Sequence, residues 1–389
     1  MTYNFDEQIN RYGTDSIKYE PEKRGRSASV LPMWVADMDF RAPPFVLDAL
    51  HRRVVHGIFG YSEPGGEYYG AVREWFRSRF DWTVEPETVT LTFGVVNAVN
   101  LAVRAFTAEG DGVIIQQPVY YPFESAVRDN RRTLLVNELV MERGRYVMDL
   151  DDFAEKAKRA KLFILCSPHN PVGRVWTREE LRAVGEICLR NGVTVISDEI
   201  HADFVYAPHR HTVFETLSPE LREITVTCTA PSKTFNLAGL AISNIMIGNE
   251  ELRRAFRAEY NAAGLSQPSL LGFAACQSAY SPEGAVWLKQ LLAYLEGNIA
   301  LMREFLRDRV GEVKLVEPEG TYLLWLDCRA LGERNVSAFM EKRAELWLDG
   351  GEMFGESGRG YQRVNIACPR STLSLALARL ESAVRARRG

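Results

Sequence analysis

Lys233 lies in the run Ala230-Pro231-Ser232-Lys233-Thr234-Phe235-Asn236, directly after an apolar stretch that ends at Thr229. A lysine held between small residues at the mouth of a sheet is poorly hydrated. Desolvation lowers its pKa and frees the amine to form a Schiff base with a carbonyl compound. Taken alone, such a lysine is usually a solvated loop residue. Asp198, in Ser197-Asp198-Glu199-Ile200-His201, ends a run apolar enough to be buried. A buried carboxylate is costly unless it meets a cation, for instance a protonated ring nitrogen; an aspartate capping the next helix is the plainer alternative. In Ser167-Pro168-His169-Asn170-Pro171-Val172-Gly173-Arg174, two prolines and a glycine set an irregular loop that leaves the Asn170 amide free to point at a ligand, or make an ordinary Asn-Pro turn. The turn Thr92-Phe93-Gly94-Val95-Val96-Asn97 feeds a helix whose exposed N–H groups and dipole suit a phosphate. By itself it is also an ordinary strand-to-helix turn.

What ties these four segments together is what precedes each of them. From about residue 86 to 250, short β-rich runs alternate with amphipathic helical stretches, the pattern of βαβ units winding a mostly parallel sheet. The expected strands are Thr88–Leu91, Gly112–Gln116, Leu162–Cys166, Val193–Ser197, Ile224–Thr229 and Ile242–Ile247, and the expected helices Val95–Thr107, Arg178–Asn191 and stretches within Glu250–Ser278. In such sheets ligands sit outside the carboxyl ends of the strands, where the four segments fall. Beyond about residue 285 the rhythm changes to a long helix (Val286–Arg309), strands Val313–Val316, Tyr322–Leu326 and Gln362–Ile366, and a final helix from about Thr372. The expected architecture is therefore α/β: a three-layer, doubly wound, mostly parallel sheet in a large domain (46–283), a smaller α+β domain (284–389), and an N-terminal segment (1–45) packed with the latter.

Composition narrows the partners. The 389 residues, 46% hydrophobic and 25% charged, are ordinary for a globular chain, and too many for one ordinary core. A net charge of -4 without a basic stripe argues against nucleic acid or anionic membranes. The opening MTYNFDEQINRYG has no apolar leader core, and no run approaches the ~18 apolar residues of a membrane span. The six cysteines are widely spaced, without a CxxC pair, and read as buried free thiols in a cytoplasmic protein rather than as disulfides or metal ligands.

The order and spacing of the segments resemble the fold type I pyridoxal-phosphate enzymes, the class I and II aminotransferase superfamily, over nearly the whole chain. The resemblance implies pyridoxal 5'-phosphate as cofactor, with Lys233 holding it, Asn170 at its O3', and Asp198 at its pyridine nitrogen. It implies a phosphate cup at Gly94-Val95-Val96 with Ser232 contributing, and Tyr120 on the ring face, with Tyr121 as the second choice. Tyr61, in Phe59-Gly60-Tyr61, matches a tyrosine sent across a dimer interface to the phosphate, so a homodimer with shared active sites is implied. Arg363 matches the arginine that grips the substrate α-carboxylate with its planar fork. Three positions depart from the common aminotransferase pattern: Ala230 and Ala241 stand where a serine and an arginine usually touch the phosphate, and His201 where a tyrosine is usual. The same departures, with Pro32-Met33-Trp34-Val35-Ala36-Asp37-Met38-Asp39-Phe40 and Asn365-Ile366-Ala367-Cys368-Pro369-Arg370, resemble the cystathionine β-lyase type of carbon–sulfur lyase.

That narrower resemblance implies α,β-elimination from cystathionine or another S-substituted cysteine to pyruvate, ammonia and a thiol. Lys233 would act as base on the α-proton, His201 and Asn170 would tune O3', and the substrate side chain would lie near Trp34–Phe40 and Met353–Phe354. An aminotransferase is the alternative within the fold. Outside enzymology the alternative is a regulatory scaffold that keeps the shape without turnover, since a lyase of this branch also modulates a maltose regulator; the intact Lys233, Asp198 and Asn170 argue against it.

Overall fold

A computed structural model describes residues 2–266 and 268–388. Met1, Gln267 and Gly389 fall within segments assigned above and lie outside the described residues. The central sheet has eight strands in the order Val89–Thr92, Ser243–Ile247, Thr225–Thr229, Thr194–Asp198, Ala160–Cys166, Gly112–Gln117, Thr133–Glu142 and Arg145–Met148. Five of these, from Thr225–Thr229 to Thr133–Glu142, are mutually parallel. Most are buried on both faces, which is why they read as near-continuous apolar runs. Ser243–Ile247 is antiparallel to both neighbours. Two antiparallel steps leave Val89–Thr92 pointing the same way as Thr225–Thr229, so the turn at Gly94 opens at the same sheet edge as the parallel strands.

The helix Arg178–Asn191 has the expected bounds, set by a Thr177/Glu180 capping box and a left-handed Gly192. The chain also forms helices Pro44–His56 and Gly66–Phe80 and strands Thr133–Glu142 and Arg145–Met148, which the periodicity reading passes over. The long strand carries a polar residue, Asn137, in its middle. That amide is fully buried, yet it accepts from Gln116 and donates to Asp149 O and Asp152, so its burial is met by hydrogen bonds that no pattern reveals.

A second sheet of four antiparallel strands runs in the order Lys314–Val316, Leu323–Asp327, Tyr361–Asn365 and Asp349–Gly350, and the chain closes with the helix Arg370–Arg388. The N-terminal segment joins this side of the molecule: Leu31–Pro32 pairs in parallel with Leu346–Trp347. The long helix starts earlier than expected, at Pro282, because Ser281 caps it by accepting from Gly284 N. It runs to Phe305, and the expected division at 283 falls in its first turn. Among the described residues, no helix is long and apolar enough to cross a membrane. All six cysteines are buried free thiols.

Candidate active site

The carboxyl ends of the strands enclose a cavity of about 220 Å³, lined among others by Gly94, Tyr120, Asn170, Asp198 and Lys233. Val95, Val96, His201 and Ser232 line it as well, so nine of the eleven residues singled out in the sequence converge on one space. Arg363 is joined to the set through Asn170, whose Oδ1 accepts from Nη1 at 3.0 Å. Tyr61 stands apart at 97% exposure. Tyr121 is not among the lining residues; its ring packs on Tyr120 at 5.5 Å.

Lys233 is positioned by the short helical turn Pro231–Thr234, which follows directly on the buried strand Thr225–Thr229. Its Nζ donates to Ala36 O at 2.8 Å. Burial, then the Arg363 charge, lower its pKa to about 8, although Asp37 and Asp198 act in the opposite direction. Asp198 is the last residue of its strand rather than the first beyond it, and burial raises its carboxyl to about 7. Its Oδ1 accepts from Ile200 N at 3.1 Å, a local turn bond and not the cap of a helix. Among the described residues no cation pairs with this carboxylate at ion-pair distance. The opposed shifts of two facing groups are the pattern expected where burial prepares chemistry.

Gly94 adopts φ 128°, a conformation that residues with a Cβ rarely take, and it starts the helix Val95–Phe106. The first amides of that helix have no acceptor within it, and they face the cavity end of the strand. Asn170 is held in place from the backbone: its carbonyl accepts from Tyr120 N at 3.0 Å, and its own amide N–H points at Cys166 Sγ. His201 is fully buried, and burial followed by the Lys233 and Arg363 charges pushes its imidazole well below the usual histidine range. Its Nδ1, Asn97 Oδ1 and Arg363 Nε are buried polar atoms without a partner among the described residues. Such atoms are available to a ligand or to ordered water, either of which offsets the cost of burial.

Sequence reasoning passed over one part of the site, and of another, the segment 33–40, it had the place but not the contacts. Arg363 is ion-paired to Asp349 of the adjacent strand, a pairing set by the antiparallel register in which the two residues are directly opposite. Thirteen residues of intervening chain hide this contact from any spacing rule. The segment 33–40 forms a strap against the site. Trp34 O accepts from Arg363 Nη2 at 2.9 Å, Val35 O from Asn365 at 2.6 Å, Ala36 O from both Lys233 and Tyr322, and Met38 O and Phe40 O from Asn236. Asp39, at the far end, is held by Lys18, Tyr19 and Arg11.

Residues 35–380 match the family described as aminotransferase class I and II. Cystathionine beta-lyase PatB of Bacillus subtilis is 43% identical over 98% of this chain and 100% of its own length. Cystalysin of Treponema denticola, whose crystal structure contains a pyridoxal 5'-phosphate cofactor, superposes with a TM-score of 0.95 at 37% identity, covering 99% of this chain and 100% of that one. The PLP-bound C-S lyase of Staphylococcus hominis superposes with a TM-score of 0.93 at 33% identity, covering 99% and 98%. With the family match spanning most of its length and full-length relatives at these identities, the chain belongs to the aminotransferase class I and II family.

Proposed function

We propose that the protein is a pyridoxal-phosphate-dependent carbon–sulfur β-lyase that converts cystathionine or another S-substituted cysteine to a thiol, pyruvate and ammonia. The observation that carries this reading is the single cavity in which a desolvated Lys233 amine faces a buried Asp198 carboxylate that lacks a cation. The choice of lyase over transferase is supported by the lyase names of the full-length relatives.

The residues fit the cofactor. Asp198 offers the carboxylate that a protonated ring nitrogen requires, and the Gly94-Val95-Val96 amides with Ser232 offer a phosphate site. Bound there, pyridoxal phosphate supplies an electrophilic carbon for the amino group and a ring that accepts the electron pair left when the Cα proton is removed. Lys233, with a pKa near neutrality, has a neutral fraction able to take that proton. Asp198 holds a proton on the ring nitrogen by a charge-assisted hydrogen bond. Asn170 and His201 act at O3', and Tyr120 packs the ring face. Arg363 takes the α-carboxylate and so orients the Cα–H bond. When Cβ carries a thiolate leaving group, its loss competes with return of the proton; a good leaving group favours elimination.

The test is a product assay on a panel of S-substituted cysteines. Sustained release of thiol, pyruvate and ammonia is the expected result, with slow or negligible amino transfer from alanine or aspartate to a keto acid. Rapid transfer without thiol release would establish the aminotransferase alternative instead.

We also infer a homodimer with shared sites, in the reducing cytosol that six unpaired thiols suit. Tyr61 belongs to an exposed apolar stretch with Val54, Val55, Ile58 and Phe59, each at least half exposed, an arrangement that a second copy of the chain would cover. Mixing inactive Lys233→Ala and Tyr61→Ala chains should restore part of the activity in heterodimers, which would carry one intact site. A fully active monomer at assay concentration contradicts this arrangement.

A further inference from the structure

A second cavity of about 450 Å³ lies on the other side of Arg363, lined among others by Arg24, Arg26, Trp34, Trp347 and Glu352. The wall between the two spaces is a set of contacts: Arg363 bonds Asn170, which lines the first cavity, and Asp349 and Trp34, which line the second. A substrate whose α-carboxylate sits on Arg363 is thus anchored at this wall. The phenol of Tyr121, whose ring packs on Tyr120, feels the charges of Asp349, Arg363 and Arg24.

The lining has a particular chemistry. Trp34 and Trp347 stack with ring centroids 4.6 Å apart and planes 20° from parallel. Arg24 covers the outer face of this pair at 5.5 Å from Trp34, and Arg26 lies 4.6 Å from Trp347. Arg26 is taken by Glu341 and Asp349 by Arg363. Among the described residues this leaves Arg24 and Glu352 as lining charges without an ionic partner, one of each sign. Ser337 touches Glu352 only at 3.5 Å. The indole N–H of Trp34 and Nε of Arg26 are also donors without an acceptor. A pocket that offers one free cation, one free anion and an aromatic wall matches a zwitterion attached to a short alkyl chain.

We propose that this cavity is a distal subsite that binds the far end of a thioether substrate ending in an α-amino acid, with Arg24 on its carboxylate and Glu352 on its ammonium. The proposal rests on the lyase reading above and adds the residues that set specificity within it: Arg24 and Glu352 favour a thioether with two amino-acid ends over a simple S-alkyl cysteine. The volume lies within the roughly 300–1,000 Å³ usual for ligand sites.

The test compares kcat/KM for cystathionine with that for S-methyl-L-cysteine in wild type, Arg24→Gln, Glu352→Gln and the double variant. Both side chains are exposed, so the fold should tolerate the changes. Each single change is expected to raise KM for cystathionine about two- to fivefold with kcat little altered, and the double change more, while S-methyl-L-cysteine is unaffected, since the lost contact is a solvated charge pair far from the reacting bond. Arg24→Lys should retain most of the preference. Equal changes for both substrates, or none for either, would overturn the subsite while leaving the lyase standing. A wild-type enzyme that releases no pyruvate from either substrate would overturn the lyase reading and this proposal with it.

Discussion

Lys233→Ala is expected to lower thiol release by roughly 10⁴-fold, the upper range for removing a positioned base, with a further loss because the cofactor is no longer held covalently. Among the described residues no other lysine lines the cavity. Borohydride reduction of the wild type followed by peptide mapping should find the reduced pyridoxyl group on the peptide containing Lys233, and the variant should lose it. A pyridoxyl group on a different lysine would defeat the assignment. The depressed pKa of about 8 has a kinetic counterpart: the base-dependent limb of the rate profile should fall as pH drops below about 8, well below the range of an ordinary lysine.

Asp198→Asn is expected to reduce elimination by about 10²–10³-fold, the usual size for loss of one preorganised electrostatic contact, because an amide cannot hold the ring-nitrogen proton by a charge-assisted bond. The same substitution should have the opposite sign for the fold. Burial raises the carboxyl to about 7. The stability associated with this group is therefore fully present below the ordinary carboxylate range and is lost as pH rises toward about 7, where the folded chain must carry a buried anion. The cofactor-free variant should thus melt above the cofactor-free wild type at pH 8, and the gap should shrink as pH is lowered toward 4, the ordinary carboxylate range. A variant with near-normal turnover would mean that the electron sink lies elsewhere. One with unchanged melting at pH 8 would mean that Asp198 finds a partner in the free protein.

Most of the site was readable because its residues follow strands, and strands with two buried faces declare themselves as apolar runs. Asp198, Asn170, Lys233 and the Gly94 turn each stand at such a run's end, so finding the sheet finds the cavity. Asp349 was not readable, because its partner is chosen by cross-strand register, which spacing along the chain does not encode. The distal cavity was only partly foreseen, through Trp34 and Met353; Arg24 and Glu352 are surface residues by type, and only the fold gives them a common space. The strand Thr133–Glu142 was hidden by Asn137, a polar residue whose burial is satisfied by side chains elsewhere. Helix Pro44–His56 could have been found from its end signals, a proline at the first position and a glycine after the last.

The strap at 33–40 is gripped by its main chain. Met33 N donates to Trp347 O and Asp39 N to Ala367 O, and the carbonyls between them receive Arg363, Asn365, Lys233, Tyr322 and Asn236 in turn. These bonds use atoms that every residue possesses, so they are blind to side-chain identity but sensitive to count. Exchanging one apolar residue for another leaves the acceptors in place. Inserting or deleting a single residue would slide each carbonyl past its donor, presenting Lys233 and Arg363 with the wrong oxygen at once. The segment is therefore constrained in length far more tightly than in composition, and variation in chain length on this side of the molecule has more room before Arg11, where no such contact to the site is made.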